Sequence, residues 1–104
     1  MTIQVPSALL EAFVLASLRQ EDAYGYSLTQ SIKQTLDVSE STLYPVMRRL
    51  ETEGCLATYD QPHNGRNRRY YKITEIGLAK YKICLKDWEI FRQKVDKLIE
   101  RSQK

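Results

Sequence analysis

The amino-acid sequence predicts an α+β fold that is mainly α-helical, and three observations lead to this prediction. Apolar residues recur at helical spacing through the first half of the chain, in segments separated by short polar breaks. Two short runs that contain Tyr, Thr and Ile, Leu56–Asp60 and Arg69–Ile73, flank an Asn-Gly pair, which is the signal of a β-hairpin. A last, long helix is expected from Glu75 to about Arg101, with Thr74 as its cap.

Length and composition limit the class of protein. The 104 residues suffice for one domain with an appended helix, and 42% hydrophobic and 28% charged residues are typical of a soluble globular chain. Met1–Pro6 has no signal-peptide pattern, and no apolar run approaches the roughly 20 residues of a membrane span, so we expect a cytoplasmic protein. The net charge of +3 is too small to indicate nucleic acid, so the positions of the charges must decide.

The sequence offers little for catalysis or metal binding. Cys55 and Cys84 stand at unrelated spacing and are expected to be small core residues rather than a redox switch, and His63 stands alone. There is no nucleophile elbow, no phosphate-binding Gly-rich loop and no zinc-ligand spacing. We therefore expect no enzyme activity, no metal and no cofactor.

The first helix is expected over Ala8–Arg19, with Ser7 as its N-cap. Its apolar residues cover every side of a helical wheel, so the helix should be buried on all sides. Burial of this kind is unusual in a small monomer and indicates a partner. The apolar positions are Leu9, Leu10, Ala12, Phe13, Val14, Leu15, Ala16 and Leu18.

Two further helices should follow in close succession. The second runs from about Tyr24 to Leu36, and a turn is expected at Asp37–Ser39. Ser39 is the expected N-cap of a third helix that ends near Glu53, with Gly54 as its left-handed stop. Two helices joined by a turn of about three residues are what a helix-turn-helix requires.

The third helix has two different faces. Its outward face combines hydroxyl groups near the N-terminus with later arginines, which suits insertion into a DNA major groove; an ordinary solvated face is the alternative. Pro45 removes the helical donor of the Ser41 carbonyl, a local conflict that favours a functional role. The core stripe is Leu43, Val46, Met47 and Leu50, and the outward face is Ser41, Thr42, Pro45, Arg48, Arg49 and Thr52, with Tyr44 at its edge.

The hairpin is expected to project as a basic wing. We predict a loop over Pro62–Asn67 that is longer than a tight turn. Arg66, Arg68 and Arg69 lie at its tip, within an acid-free run, and His63 and Asn64 add donors. Such a tip can contact the DNA backbone or minor groove beside a groove-binding helix, whereas the alternative is a merely solubilising loop.

Ordered motifs occur between about Leu9 and Gly77: Gly25-Tyr26, Ser41-Thr42-Leu43-Tyr44-Pro45, Arg49-Leu50-Glu51, Glu53-Gly54, Arg68-Arg69-Tyr70-Tyr71 and Thr74-Glu75-Ile76-Gly77. Together they resemble the PadR family of transcriptional regulators. The resemblance implies a winged helix-turn-helix fold of three helices plus a two-stranded β-wing. It also implies that the protein represses a nearby gene by binding an inverted-repeat operator in double-stranded DNA. The candidate DNA-binding residues are Tyr26, Ser41, Thr42, Tyr44, Pro45, Arg48, Arg49, His63, Asn64, Arg66, Arg68 and Arg69.

The last helix predicts a homodimer, in agreement with the short, single-C-terminal-helix subfamily that the chain resembles. Its apolar residues follow a 3-4-3-4-3 spacing, the a/d pattern of a helix seam. A separate face, Ile76, Ala79 and Ile83, is expected to pack on the helix's own domain. We expect a DNA-binding domain over 1–73 and a dimerisation helix over 74–104. The predicted dimer interface is Leu10, Phe13, Tyr81, Cys84, Trp88, Phe91, Val95 and Leu98.

Two interpretations of Trp88 are open. It is either plain seam packing or, as in the multidrug-responsive family members that this helix resembles (Asp87-Trp88, then Val95-Asp96-Lys97), a platform for flat aromatic ligands. The candidate ligand-binding residues are Trp88, Phe91, Phe13 and Leu10, and the expected effector is a planar aromatic or phenolic small molecule. The sequence thus predicts a dimeric, ligand-responsive DNA-binding repressor. A winged-helix protein-interaction module and a DNA-binding regulator without a ligand are the alternatives.

Overall fold

The computed structural model describes residues 4–103 and confirms the mainly helical α+β class. Four helices accompany one antiparallel sheet of three strands in the order β1-β3-β2. The elements are α1 (Ser7–Gln20), β1 (Ala23–Tyr24), α2 (Gly25–Leu36), α3 (Glu40–Thr52), β2 (Leu56–His63), β3 (Arg66–Ile73) and α4 (Glu75–Ser102). No helix within residues 4–103 combines the length and the apolarity needed to cross a bilayer.

The helix ends follow the sequence signals at most positions. Thr74 caps α4 as predicted: its hydroxyl accepts from the Gly77 N–H at 3.1 Å and donates to the Gly54 carbonyl. Gly54 itself has φ of +82°, the left-handed conformation expected after α3. The predicted Ser7 cap is wrong, because Ser7 is the first residue of α1 and Pro6 occupies the cap position.

The hairpin β2–β3, called the wing from here on, differs from its prediction. Its turn contains only Asn64 and Gly65, with φ of 52° and 79°, so the expected long loop over Pro62–Asn67 is wrong. Both residues accept positive φ, as a type I′ turn requires, and every flanking residue can therefore pair in the ladder. Strand β1 was not predicted at all, since two residues are too few to show a period. It adds a third strand beside β3.

One hydrophobic core joins α1, α2, α3 and the sheet. The predicted stripe of α3 is confirmed, since Leu43, Val46, Met47 and Leu50 are all buried. In the first helix, Leu9, Phe13 and Ala16 remain partly exposed in the single chain, so burial on all sides would need the partner that the sequence predicts. The other core residues are Leu10, Val14, Leu15, Leu18, Leu28, Ile32, Cys55, Leu56 and Tyr71.

The last helix packs on the body through a face other than the predicted one. Ile76 and Ile83 are 61% and 63% exposed, so the expectation that they cover the helix's own domain is wrong. Gly77 is instead buried, and a Cβ at this position would lie 2.2 Å from the Cys55 carbonyl oxygen. Tyr81, one turn later, packs on the core. The close approach at Gly77 therefore fixes which side of α4 faces inward.

Candidate nucleic-acid interface

The outward face of α3 is accessible along its whole length. Ser41, Thr42, Tyr44, Pro45 and Arg48 are all exposed. Pro45 lies inside the helix and has no backbone N–H, so the Ser41 carbonyl lacks its helical hydrogen-bond donor. Because Pro45 is on the solvent side, water or a ligand can supply a donor in its place. The structure thus gathers five of the predicted DNA-binding residues on one surface.

Three hydroxyl groups cluster at the N-terminal end of this surface. Ser39 Oγ lies 3.0 Å from Ser41 Oγ and 2.9 Å from Thr42 Oγ1, rather than bonding the backbone as a conventional cap. The N-terminus of a helix carries partial positive charge and unpaired N–H groups. Hydroxyl groups at such an end are suited to hold a phosphate oxygen.

Arg48 and Arg49 are neighbours in sequence but have different surroundings. Within residues 4–103, Arg48 makes no ion pair. Arg49 Nη2 lies 2.7 Å from Glu11 Oε1, and its Nε donates to the same oxygen at 2.8 Å. We therefore do not expect Arg49 to bind DNA, because its guanidinium already pairs with Glu11 in the body of the protein.

The carboxylate of Glu11 also accepts from Lys80 Nζ of α4 at 3.1 Å, and Lys80 in turn lies 3.2 Å from Glu53 Oε1. Burial by itself raises the pKa of Glu11, but the hydrogen bonds from Arg49 and Lys80 outweigh it and hold that pKa below its ordinary value of 4.5. For Lys80, burial lowers the pKa, and the bonds to Glu11 and Glu53 raise it to a greater extent. Glu11 and Lys80 are thus both held in their charged forms.

The wing presents two different faces. Arg66 and Arg68 share one face, because strand residues two apart point the same way, and His63 lies across from Arg66 in the ladder. Arg69 points to the other face and stands directly across from Asp60. The expectation of three unbalanced arginines at the tip is therefore wrong in part, since Arg69 has an acidic cross-strand neighbour.

Tyr24, Tyr59 and Tyr70 lie on the same face of the sheet as Arg68, and none of the three was predicted to bind DNA. The Arg68 guanidinium carbon lies 4.6 Å from the centroid of the Tyr24 ring, a cation–π arrangement. Tyr26, predicted to bind DNA, is exposed, and its ring centroid lies 6.2 Å from that of Tyr24. Tyr59 and Tyr70 stack at 5.6 Å on the same sheet. The sequence signal for this arrangement is that all three strands contain tyrosine, at Tyr24, Tyr59, Tyr70 and Tyr71.

Comparison with known proteins identifies the family of this chain. The model of the transcriptional regulator PadR-like family matches residues 14–83. The chain belongs to the PadR-like family. A transcriptional regulator of Mycobacterium tuberculosis is 34% identical over 73 residues, which are 69% of this chain and 68% of that protein.

Solved structures show the same architecture. A Streptococcus mutans protein matches with a TM-score of 0.88 and 38% identity over 96% of this chain and 94% of that chain. A PadR family transcriptional regulator of Eggerthella lenta matches with a TM-score of 0.76 and 38% identity over 88% and 81% of the two chains. The PadR-like chain is thus one of a family of DNA-binding transcriptional regulators, which are not enzymes.

A second feature of this PadR-like chain lies between the start of α1 and the middle of α4. Trp88 and Phe91, with ring centroids 6.4 Å apart, help to line a cavity of about 290 Å³. The prediction that Leu10 belongs to the ligand site and the dimer interface is wrong, because Leu10 is 1% exposed within its own core. Leu9, the preceding residue, lines the cavity instead, while Phe13 borders a different one. The cavity lining is Pro6, Ala8, Leu9, Cys84, Asp87, Trp88 and Phe91.

Proposed function

We propose that the chain is a homodimeric repressor that binds an inverted-repeat operator, with α3 in the major groove and the wing on the adjacent backbone. The observation that supports this most strongly is the combination of two basic surfaces. Ser41, Thr42 and Arg48 of α3 are exposed, and Arg66 and Arg68 share one face of the wing. None of these three arginines makes an ion pair within residues 4–103. Unpaired arginines beside hydroxyl groups are suited to phosphates and guanine edges.

A second copy of the chain would cover α4 beyond its own domain. In the second half of the helix, the predicted seam residues Trp88, Phe91 and Leu98 are exposed in the single chain. With Val95 they form an apolar stripe that a partner helix could bury. In this proposal 1–73 bind DNA and 74–104 dimerise. The two-fold axis would place the two α3 helices about 34 Å apart, one turn of DNA.

The cavity beside Trp88 is the proposed effector site. Its walls are apolar and aromatic, which suits a flat ring system, and the Asp87 carboxylate favours a positive charge on the ligand. A ligand that binds more tightly when the two α3 helices have one particular spacing would favour that spacing and so change operator affinity. The size of the change is limited by the difference between the ligand's affinities for the two spacings. Titration with a planar cationic dye should quench Trp88 fluorescence, and Asp87→Asn should weaken binding of the cationic dye only. If the fluorescence stays constant at high dye concentration, the proposed effector site is refuted, and the alternative of a DNA-binding regulator without a ligand is favoured.

The DNA-binding role is tested with duplex DNA that the protein selects from a random library. Binding should weaken steeply with salt, and Arg48→Ala or Arg66→Ala should reduce affinity and lower the salt slope by about one for each phosphate group that the variant no longer neutralises. Lys86→Ala, an exposed change on α4, is the matched control and should bind like the wild type. An absence of binding at low salt would refute the proposal and favour a protein-interaction module.

A further inference from the structure

The three strands of the sheet carry a row of tyrosines. Tyr24 of β1 pairs with Tyr70 of β3, and Tyr70 pairs with Tyr59 of β2, so the three side chains share one face. The ring centroids of Tyr24 and Tyr70 lie 6.0 Å apart, and those of Tyr59 and Tyr70 lie 5.6 Å apart. The Tyr59 hydroxyl donates to Asp22 Oδ2 at 2.7 Å, which ties the far end of the row to the segment before β1.

The end of β1 explains why Arg68 lies on this row. Arg68 is two residues before Tyr70 on β3, and therefore points to the same face. The strand pairing of β1 stops at Tyr24, because α2 begins at Gly25. No further residue of β1 stands beside Arg68, and its guanidinium lies over the Tyr24 ring at 4.6 Å. The short first strand thus provides both the ring and the space for the arginine.

We propose that Tyr24 is a positioning residue for DNA binding, which holds the Arg68 side chain in the orientation that contacts the duplex; this rests on the proposed function. A free arginine gives up much rotamer freedom when it binds a phosphate or a base. A guanidinium already held on a fixed ring gives up less, so the complex is tighter. Arg66, at the tip, has no such ring among residues 4–103. The two wing arginines therefore differ in how far they are oriented before DNA arrives.

A double-mutant cycle separates positioning from general stability. Tyr24→Leu should weaken DNA binding about three- to fivefold, as expected when a partly exposed cation–π interaction is removed, whereas Tyr24→Phe keeps the ring and should bind like the wild type. In an Arg68→Ala background, Tyr24→Leu should weaken binding no further. Tyr59→Leu is the matched control, since Tyr59 belongs to the same row without lying under the Arg68 guanidinium, and it should retain affinity.

The outcomes are distinguishable from failure of the DNA-binding role. If Arg68→Ala weakens DNA binding but Tyr24→Leu does not, the positioning role alone is overturned. The same holds if Tyr24→Leu weakens binding equally in the wild-type and the Arg68→Ala backgrounds. A wild type that binds no DNA overturns the proposed function and this role with it. The NMR signal of Arg68 Nε–H gives a readout without any variant. It should show the ring-current shift of Tyr24 in the wild-type protein, and an unshifted signal would overturn the proposal even if Tyr24→Leu does not fold.

Discussion

Glu11 and Arg49 join α1 to α3 through an ion pair of 2.7 Å. Glu11 is only 9% exposed, and its carboxylate accepts from Lys80 of α4 as well. One buried carboxylate therefore holds together the first helix, the proposed groove-binding helix and the proposed dimerisation helix. A buried charge of this kind depends on its partners, because an unpaired one would be costly to keep away from water.

The pair Arg48 and Arg49 gives the first prediction. Arg49→Ala should lower the free energy of unfolding by about 1–2 kcal/mol, because Glu11 is then left with one of its two cationic partners. Arg48→Ala should change the free energy of unfolding by less than about 0.5 kcal/mol. It should weaken DNA binding by about 1–3 kcal/mol if the Arg48 side chain contacts a base. Urea unfolding and a binding titration on the same samples would measure both. The reverse pattern would contradict the division of roles.

The pH dependence of stability is the second prediction. The pKa of Glu11 is lowered in the folded protein, so the unfolded chain takes up the proton first as the pH falls. The stabilisation by Glu11 is thus complete above the ordinary pKa of 4.5 and disappears as the pH falls through the lower, folded value. Glu11→Gln should reduce this destabilisation by acid, measured by urea unfolding from about pH 6 downward. Glu89→Gln, an exposed control, should preserve it.

Much of the fold was predictable because its signals are local. The stripe of α3, the cap at Thr74 and the stop at Gly54 depend on a few residues in sequence, and each is confirmed. The two-residue strand β1 has no local signal, since it exists only through pairing with β3. The inward face of α4 was predicted wrongly because periodicity alone cannot tell which apolar stripe meets the domain; the close approach at Gly77 decides it.

The candidate site was predictable to a similar degree. Exposure of Ser41, Thr42 and Arg48 follows from the helical wheel. The pairing of Arg49 with Glu11 does not follow from the helical wheel, since the two residues are 38 positions apart and meet only through tertiary packing. The same holds for Arg68 and Tyr24, which come together only when β1 pairs with the wing.

Gly77 gives the third prediction. Alanine is the better helix former by about 1 kcal/mol, yet Gly77→Ala should lower the free energy of unfolding by about 2–3 kcal/mol. The added Cβ would stand 2.2 Å from the Cys55 carbonyl oxygen and 2.7 Å from Ile73 Cγ1, so α4 would have to move off the body. Ala79→Gly, at an exposed position of the same helix, should cost only about 1 kcal/mol. A Gly77→Ala protein as stable as the wild type would show that this close approach does not fix α4.

The fourth prediction concerns the apolar stripe of α4. Phe91 is 55% and Leu98 64% exposed in the single chain, and burying such a side chain against a partner contributes about 1.5–3 kcal/mol. Phe91→Lys or Leu98→Lys should therefore convert a dimer into a monomer, and operator affinity should fall with it, because each half-site would then be bound separately. Sedimentation equilibrium should give twice the 12.2 kDa chain mass for the wild type and for the Lys86→Ala control, and the single mass for the two lysine variants. A wild type that sediments as a single chain at micromolar concentration would contradict the proposed arrangement of two α3 helices on successive turns of DNA.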